Sequence, residues 1–223
     1  MRAVIVPAAP ALLPGIGGTA DPLADLRERA RALVTDTMAK GVTRVVVIGA
    51  GEATGQWPSD GPSGAARFTT GLVPEGALPA DLEIGRLFVP EQFASSGEGE
   101  LILHSVAADA DPTAALELGR ALTTDDGTLL LVVADGPATL TEKAPGHLQP
   151  GAAPFAQELA RAVAAADTTA LADLDPATCD LLWMRGRPAL QALAGAFDGC
   201  EVSGEVVADE SPYGVQYLLA RWS

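Results

Sequence analysis

RAVIVPAAPALLPGIGGTADPLADLRERARALVTDTMAKGVTRVVVI, residues 2–48, carries the pattern that decides the fold. Its opening run, Arg2 to Val6, is short, apolar and β-branched, and Pro7 ends it. A continuous apolar run of this kind suits a strand covered on both faces, as in a parallel sheet, better than a half-exposed strand. From Asp21 the period changes. Leu23, Leu26, Ala30, Leu33, Val34 and Met38 recur at helical spacing, with Arg27, Glu28 and Arg31 on the other face. Asp21 before Pro22 reads as an N-cap with proline in the first helical position, and Gly41 closes the helix. Arg44 to Ile48 is a second apolar run, so strand, helix and strand follow one another as a crossover unit, right-handed by default.

Outward from this unit the alternation continues. Thr128 to Ala134, TLLLVVA, is the strongest strand in the chain, Leu101 to Ala107 is another, and Leu82 to Val89 reads as a strand. Helices are expected from Pro112 through Leu122, from Phe155 to Ala166, from Pro176, and from Pro188 to Phe197, before a closing strand pair between Glu201 and Trp222. Glycines and prolines crowd residues 50–80, which read as a long irregular loop with a short hairpin. The expectation is an α/β fold, three-layer, with a mainly parallel central sheet. No repeat, linker or charge block divides the chain, so residues 1–223 read as a single domain.

Composition narrows the classes of function. Hydrophobic residues make up 48% and charged residues 19%, which excludes disorder, and no stretch reaches the roughly 20 uninterrupted apolar residues of a spanning helix. With 29 acidic against 14 basic residues the formal charge is −15, which disfavours a phosphate backbone as partner, so no nucleic acid and no membrane are expected. Pro7, Pro10 and Pro14 interrupt the apolar N-terminus and only Arg2 is basic there, so it reads as strand plus loop and not as a signal peptide, and the expected location is cytoplasmic. Cys179 and Cys200 form no CxxC motif and read as buried thiols in a reducing compartment.

Several motifs fail on spacing. Gly49, Gly51 and Gly55 follow the second apolar run as GAGEATG, with the third glycine one place late for a dinucleotide loop. No G-x-S-x-G, H-E-x-x-H or P-loop is present. The two histidines are His104, inside an apolar strand where a hydrogen-bonded core role is expected, and His147, in the exposed loop APGHLQPG. Ligands of open parallel sheets bind beyond the carboxyl ends of the strands. A pocket is therefore expected at the loops after Val6, Ile48 and Ala134, joined by the turn at Glu210 to Tyr213. The segment after Ala134 offers Asp135, Thr139, Thr141, Glu142, Lys143 and His147 there. Tyr213 reads as a core residue with its hydroxyl satisfied.

PAAPALLPG (residues 7–15), ADPTAALELGRAL (110–122), LLLVVADGPATLTEKAPG (129–146) and ESPYGVQYLLA (210–220), in this order, resemble the class III extradiol dioxygenase-like proteins of actinobacterial type, with Memo-like proteins more distant. The resemblance spans nearly the whole chain, and TEKAPG and SPYG are its most specific parts. It implies an iron site in which one metal-binding histidine follows the first strand and a second follows the next. The corresponding places here are Ala8 to Pro10 and Ala50 to Glu52, and neither contains histidine. The family's SGDLSH-like turn matches Ala134 to Thr139, where Asp135 and Gly136 are kept and the histidine is not. His104 with Ser105 is similar to an EHS-like motif, but the longer match places His104 in a plain strand.

No metal ligand is carried over, so iron is expected from the family but not from these residues. The expected function is a non-classical or inactive relative that binds a small organic ligand. The alternatives are an oxygenase with carboxylate-rich metal ligation and a structural or interaction protein, with a homodimer as the commonest assembly. The catalytic candidates are Asp135, Glu142, Lys143 and Glu210. Ala9, Glu52, Thr141, His147 and Tyr213 are the ligand-binding candidates.

Overall fold

The computed structural model describes residues 1–223 except Gly17, Ser96, Glu98, Thr123 and Thr124. Along the chain run β1 (Arg2–Val6), α1 (Ala24–Met38), β2 (Arg44–Gly51), β3 (Gly55–Trp57), α2 (Ala80–Phe88), α3 (Glu91–Ser95), β4 (Glu100–Ala107), α4 (Pro112–Ala121) and β5 (Thr128–Val133). They are followed by α5 (Ala152–Ala164), α6 (Thr168–Ala172), α7 (Pro176–Leu181), α8 (Arg187–Ala196), β6 (Gly204–Glu210) and β7 (Tyr217–Trp222). Among the described residues seven strands form one sheet in the order β3-β4-β2-β5-β1-β7-β6.

The apolar runs lie side by side at its centre. β5 is parallel to both β1 and β2, and β2 is parallel to β4. Every residue of β5 is buried, as a strand covered on both faces requires. The flanks are antiparallel, with β3 on β4 at one side and β7 on β1, then β6 on β7, at the other. The sheet is thus mixed, a parallel centre of four strands edged by antiparallel ones. Alternate strand residues feed two separate cores. Val4, Val6, Val45, Val47, Leu129 and Leu131 pack with the apolar stripes of α1 and α2. Ala3, Ile5, Val46, Ile48, Leu130 and Val132 pack with α5 and α8 on the other face. Helices cover both faces, so the strand–helix alternation produces an α/β fold of three layers.

Where α4 crosses α8 the backbones touch. A Cβ at Gly119 would strike the Ala192 carbonyl and one at Gly195 the Leu116 carbonyl, so glycine at both positions sets the depth of the crossing. At the far end of this layer Phe197 meets Trp222 edge-on at 5.3 Å between ring centroids, and the Trp222 indole N–H donates to the Val163 carbonyl at 2.8 Å.

Four local expectations are corrected. Leu82 to Val89 is not a strand; its residues lie in α2 and its exit, which start after Pro79 and carry Asp81 and Glu83 in the first turn. Leu82, Ile84 and Phe88 are all buried, and their near-alternation imitates a strand because this helix is covered on several sides. Asp21 does not cap α1. It has φ of 35° and accepts two hydrogen bonds from Arg27, at 2.6 and 2.7 Å. Cys179 is buried but Cys200 is exposed, placed in the turn after Gly199, whose φ is 74°. Tyr213 is 45% exposed, at the tip of the turn joining β6 to β7. No described helix is long and apolar enough to cross a membrane.

Candidate functional site

β1, β2 and β5 run parallel and end at one edge of the sheet, so the segments that follow them converge. Ala8 to Pro10 leave β1, Ala50 to Glu52 end and follow β2, and Asp135 follows β5. All of these line a cavity of about 680 Å³. This size is within the range of small-molecule sites. The segment 57–80, the start of α2, the residues before α8 and the start of β7 complete its wall. Trp57, Phe68, Val73 and Trp183 supply an apolar lining, and Arg67 and Arg185 supply positive charge.

Two carboxyl groups sit at the sheet end of this cavity. Asp135 accepts a hydrogen bond from the Ala8 amide at 2.7 Å, which ties the exit of β5 to that of β1. Asp81, in the first turn of α2, accepts from the Ala50 amide at 2.9 Å. Gly49 permits this second approach, because a Cβ there would press into the Asp81 side chain and lie 3.3 Å from its carbonyl carbon. Enclosure in protein disfavours the charged form of each acid. Burial pushes Asp81 up to about 7, against the Ala50 hydrogen bond and the Arg185 charge, which both pull it down. Burial pushes Asp135 up to about 8, against the Ala8 hydrogen bond, and the charge of Asp81 raises it further. The two acids therefore repel each other when both are ionised and hold protons around neutral pH.

Tyr217 stands beside Asp135. It is only 6% exposed, it lines the cavity, and its hydroxyl makes no hydrogen bond to any described residue. Burial raises its pKa, helped by the charges of Asp135 and Tyr213. An enclosed hydroxyl without a protein partner costs stability unless something in the cavity pairs with it. The cations are similarly uncompensated. Arg67 donates to the Gly64 and Leu78 carbonyls at 2.8 and 2.6 Å but to no carboxylate, and Arg185 has no hydrogen-bonding partner among the described residues. Trp183 has φ of 53°, rare for a bulky residue, and is packed on Gly146 so that a Cβ there would lie 2.8 Å from the indole.

Of the residues singled out by sequence, Ala9, Glu52 and Asp135 come together at the cavity. Glu142, Lys143, Thr141 and His147 lie outside its lining and are exposed. The reason is the internal bonding of their segment. Leu140 N–H donates to the Gly214 carbonyl, Gly146 to Ala138 and Gln149 to Thr139, so the segment folds on itself and turns these tips to solvent. Glu210 and Tyr213 also lie outside the lining. Glu210 pairs with Arg29 of α1, and Val215 and Tyr217 take the wall position expected for that turn. Asp81, Arg185 and Tyr217 escaped the sequence reading. The local signals were an acid just after Pro79 and the cluster WMRGR at residues 183–187, each equally at home on an ordinary surface.

The loop after β1 is held by a buried cation. Arg27 donates to the Leu12 carbonyl at 2.5 Å and the Ala11 carbonyl at 3.1 Å while pairing with Asp21, which fixes the chain directly behind Ala8 to Pro10.

The donor set does not fit the iron that the resemblance implies. His104 is on β4, with Nδ1 3.1 Å from the Ser105 carbonyl, and lines a second cavity with Arg44, Gln56 and Glu100. His147 is exposed, with Nδ1 2.8 Å from the Glu142 carbonyl. Neither approaches Asp81 or Asp135 in the cavity lining, and among the described residues no three of histidine, cysteine, aspartate and glutamate converge on one point.

No protein-family model matches the chain, and no curated protein matches it. Among solved structures it is similar to the crystal structure of the uncharacterized protein JW3007 from Escherichia coli K12, with a TM-score of 0.56. That match covers 100% of this chain and 99% of the other at 16% sequence identity, so the two share a fold from end to end.

Proposed function

We propose that this chain binds a small organic anion with an apolar body in the cavity at the carboxyl ends of β1, β2 and β5. In this reading it is a metal-free relative of the class III extradiol dioxygenase-like proteins it resembles. The observation that carries the reading is Tyr217, enclosed, lining the cavity and without a protein partner for its hydroxyl. Arg67 and Arg185 favour an anion, because a protein of formal charge −15 leaves two guanidinium groups at one cavity without carboxylate partners. Trp57, Phe68 and Trp183 favour an apolar or aromatic body.

Trp57 and Trp183 report on occupancy directly, since both line the cavity while Trp222 is buried elsewhere. Titration with benzoate, phenylacetate, phenylpyruvate and hexanoate is expected to change the tryptophan emission saturably with at least one of them. Arg185→Ala is expected to weaken that ligand by about tenfold, the loss of one charged contact. A linear, non-saturating response to all four probes would contradict the reading.

A further inference from the structure

The cavity holds more than a binding site needs, namely two enclosed carboxyl groups and an enclosed phenol at one end, with free cations at the side. We propose that Asp81, Asp135 and Tyr217 form a metal-free proton-transfer site that interconverts the keto and enol forms of an aromatic 2-oxo acid. This rests on the ligand-binding reading above.

The roles follow from the neighbours of each group. Arg185 acts on Asp81 and favours its carboxylate, so Asp81 is the base. Asp135 has no cation among its partners and acts on Tyr217, so these two form a donor pair for a developing oxyanion. Each acid is oriented by one backbone amide, Ala50 for Asp81 and Ala8 for Asp135, which fixes one oxygen of each carboxyl group. The other ionisable groups facing the pair are Glu52 after β2, Arg67 in the 57–80 segment and Arg185 before α8, with Tyr217 on β7.

In the forward step the Asp81 carboxylate removes a proton from the carbon next to the ketone. The C–H electron pair becomes the C=C bond, and the carbonyl π pair moves to oxygen, which takes a proton from Asp135 while Tyr217 donates a hydrogen bond to it. The protein gains one proton at Asp81 and loses one at Asp135. Exchange with solvent at the open cavity restores both, and no oxidant, reductant or metal enters. The aromatic body meets Trp57, Phe68 and Trp183, and the carboxylate meets Arg67 or Arg185.

Phenylpyruvate in D2O tests this, because enolisation replaces its methylene protons by deuterium and proton NMR follows the loss. Native protein is expected to accelerate exchange above the buffer rate with saturation. Asp81→Asn should lower kcat about 100-fold with little change in KM, and Tyr217→Phe about tenfold or more. Tyr217→Phe removes a hydroxyl that no protein group uses, so it keeps the fold, and a thermal melt checks Asp81→Asn. The kcat profile should be bell-shaped, bounded by the ionisation of Asp81 on the acid side and of Asp135 on the alkaline side. Exchange at the buffer rate, or equal rates in native protein and folded Asp81→Asn, overturns the proposal. Saturable binding of phenylpyruvate without exchange overturns this step alone, whereas failure of all four probes to bind overturns the ligand-binding reading with it.

Discussion

Arg187→Met is expected to lower stability by about 2–4 kcal/mol, read as a shift of the urea midpoint at unchanged slope. Arg187 is 2% exposed at the start of α8 and has no acid within ion-pair distance among the described residues. Its guanidinium donates to Gln191 Oε1 at 2.7 Å and to the Ala110 carbonyl at 2.8 Å. Gln191, itself fully buried, passes the connection on to the carbonyls of Ala172 and Leu174 at 3.1 and 3.0 Å. The network thus joins the exit of β4, the end of α6 and the entry to α7 around one helix. Methionine fills similar volume but donates nothing, so the Gln191 oxygen and the Ala110 carbonyl stay buried without a partner, and that desolvation is the cost. A loss below about 0.5 kcal/mol would mean that these acceptors find water and that the network does not hold α8.

Asp135→Asn is expected to stabilise the protein at pH 9 and to leave it nearly unchanged at pH 4. The folded state raises this carboxyl from its ordinary value near 3.8 to about 8, so between those limits the folded chain holds a proton that the unfolded chain has released. Stability therefore falls as pH rises through this window, and the full cost is present above the folded value. Each pH unit between the two titration points corresponds to about 1.4 kcal/mol. The carboxyl faces an open cavity, so solvent screens part of this and about 2–3 kcal/mol is expected at pH 9. Asparagine can still accept the Ala8 amide hydrogen bond and has no charge to bury. Urea midpoints of the two proteins should diverge as pH rises from 5 to 9; parallel curves would contradict the enclosed, proton-holding carboxyl. A gain in stability on removing a polar group is the usual mark of a residue kept for function.

The central strands were legible because they are covered on both faces. Arg2 to Val6, Arg44 to Ile48 and Thr128 to Ala134 cannot be amphipathic there, and their unbroken apolar character gives them away. Helix α2 was not, since Leu82 and Ile84 are both buried and mimic a strand's alternation. The position of the site was legible through β5, whose end must face the loops after β1 and β2 in a parallel sheet, and Asp135 came with it. Its polar neighbours in the TEKAPG segment read as equally good candidates because backbone hydrogen bonds, which carry no residue signature, turn Thr141, Glu142 and Lys143 outward. Asp81 and Tyr217 belong to elements far from Asp135 in sequence, and only the close approach at Gly49 and the antiparallel pairing of β7 with β1 place them at the same edge.

Two carboxyl groups that hold protons near neutral pH at this edge underlie both the proposed chemistry and the pH dependence of stability. Carbon-13 NMR of protein labelled at the aspartate carboxyl carbon, titrated from pH 3 to 10, reads them directly. Two resonances should move at about 7 and about 8, and Asp81→Asn and Asp135→Asn should each remove one and lower the other's midpoint or leave it isolated. Midpoints below 5 for every aspartate would contradict these proton-holding carboxyls, and with them the proton-transfer site.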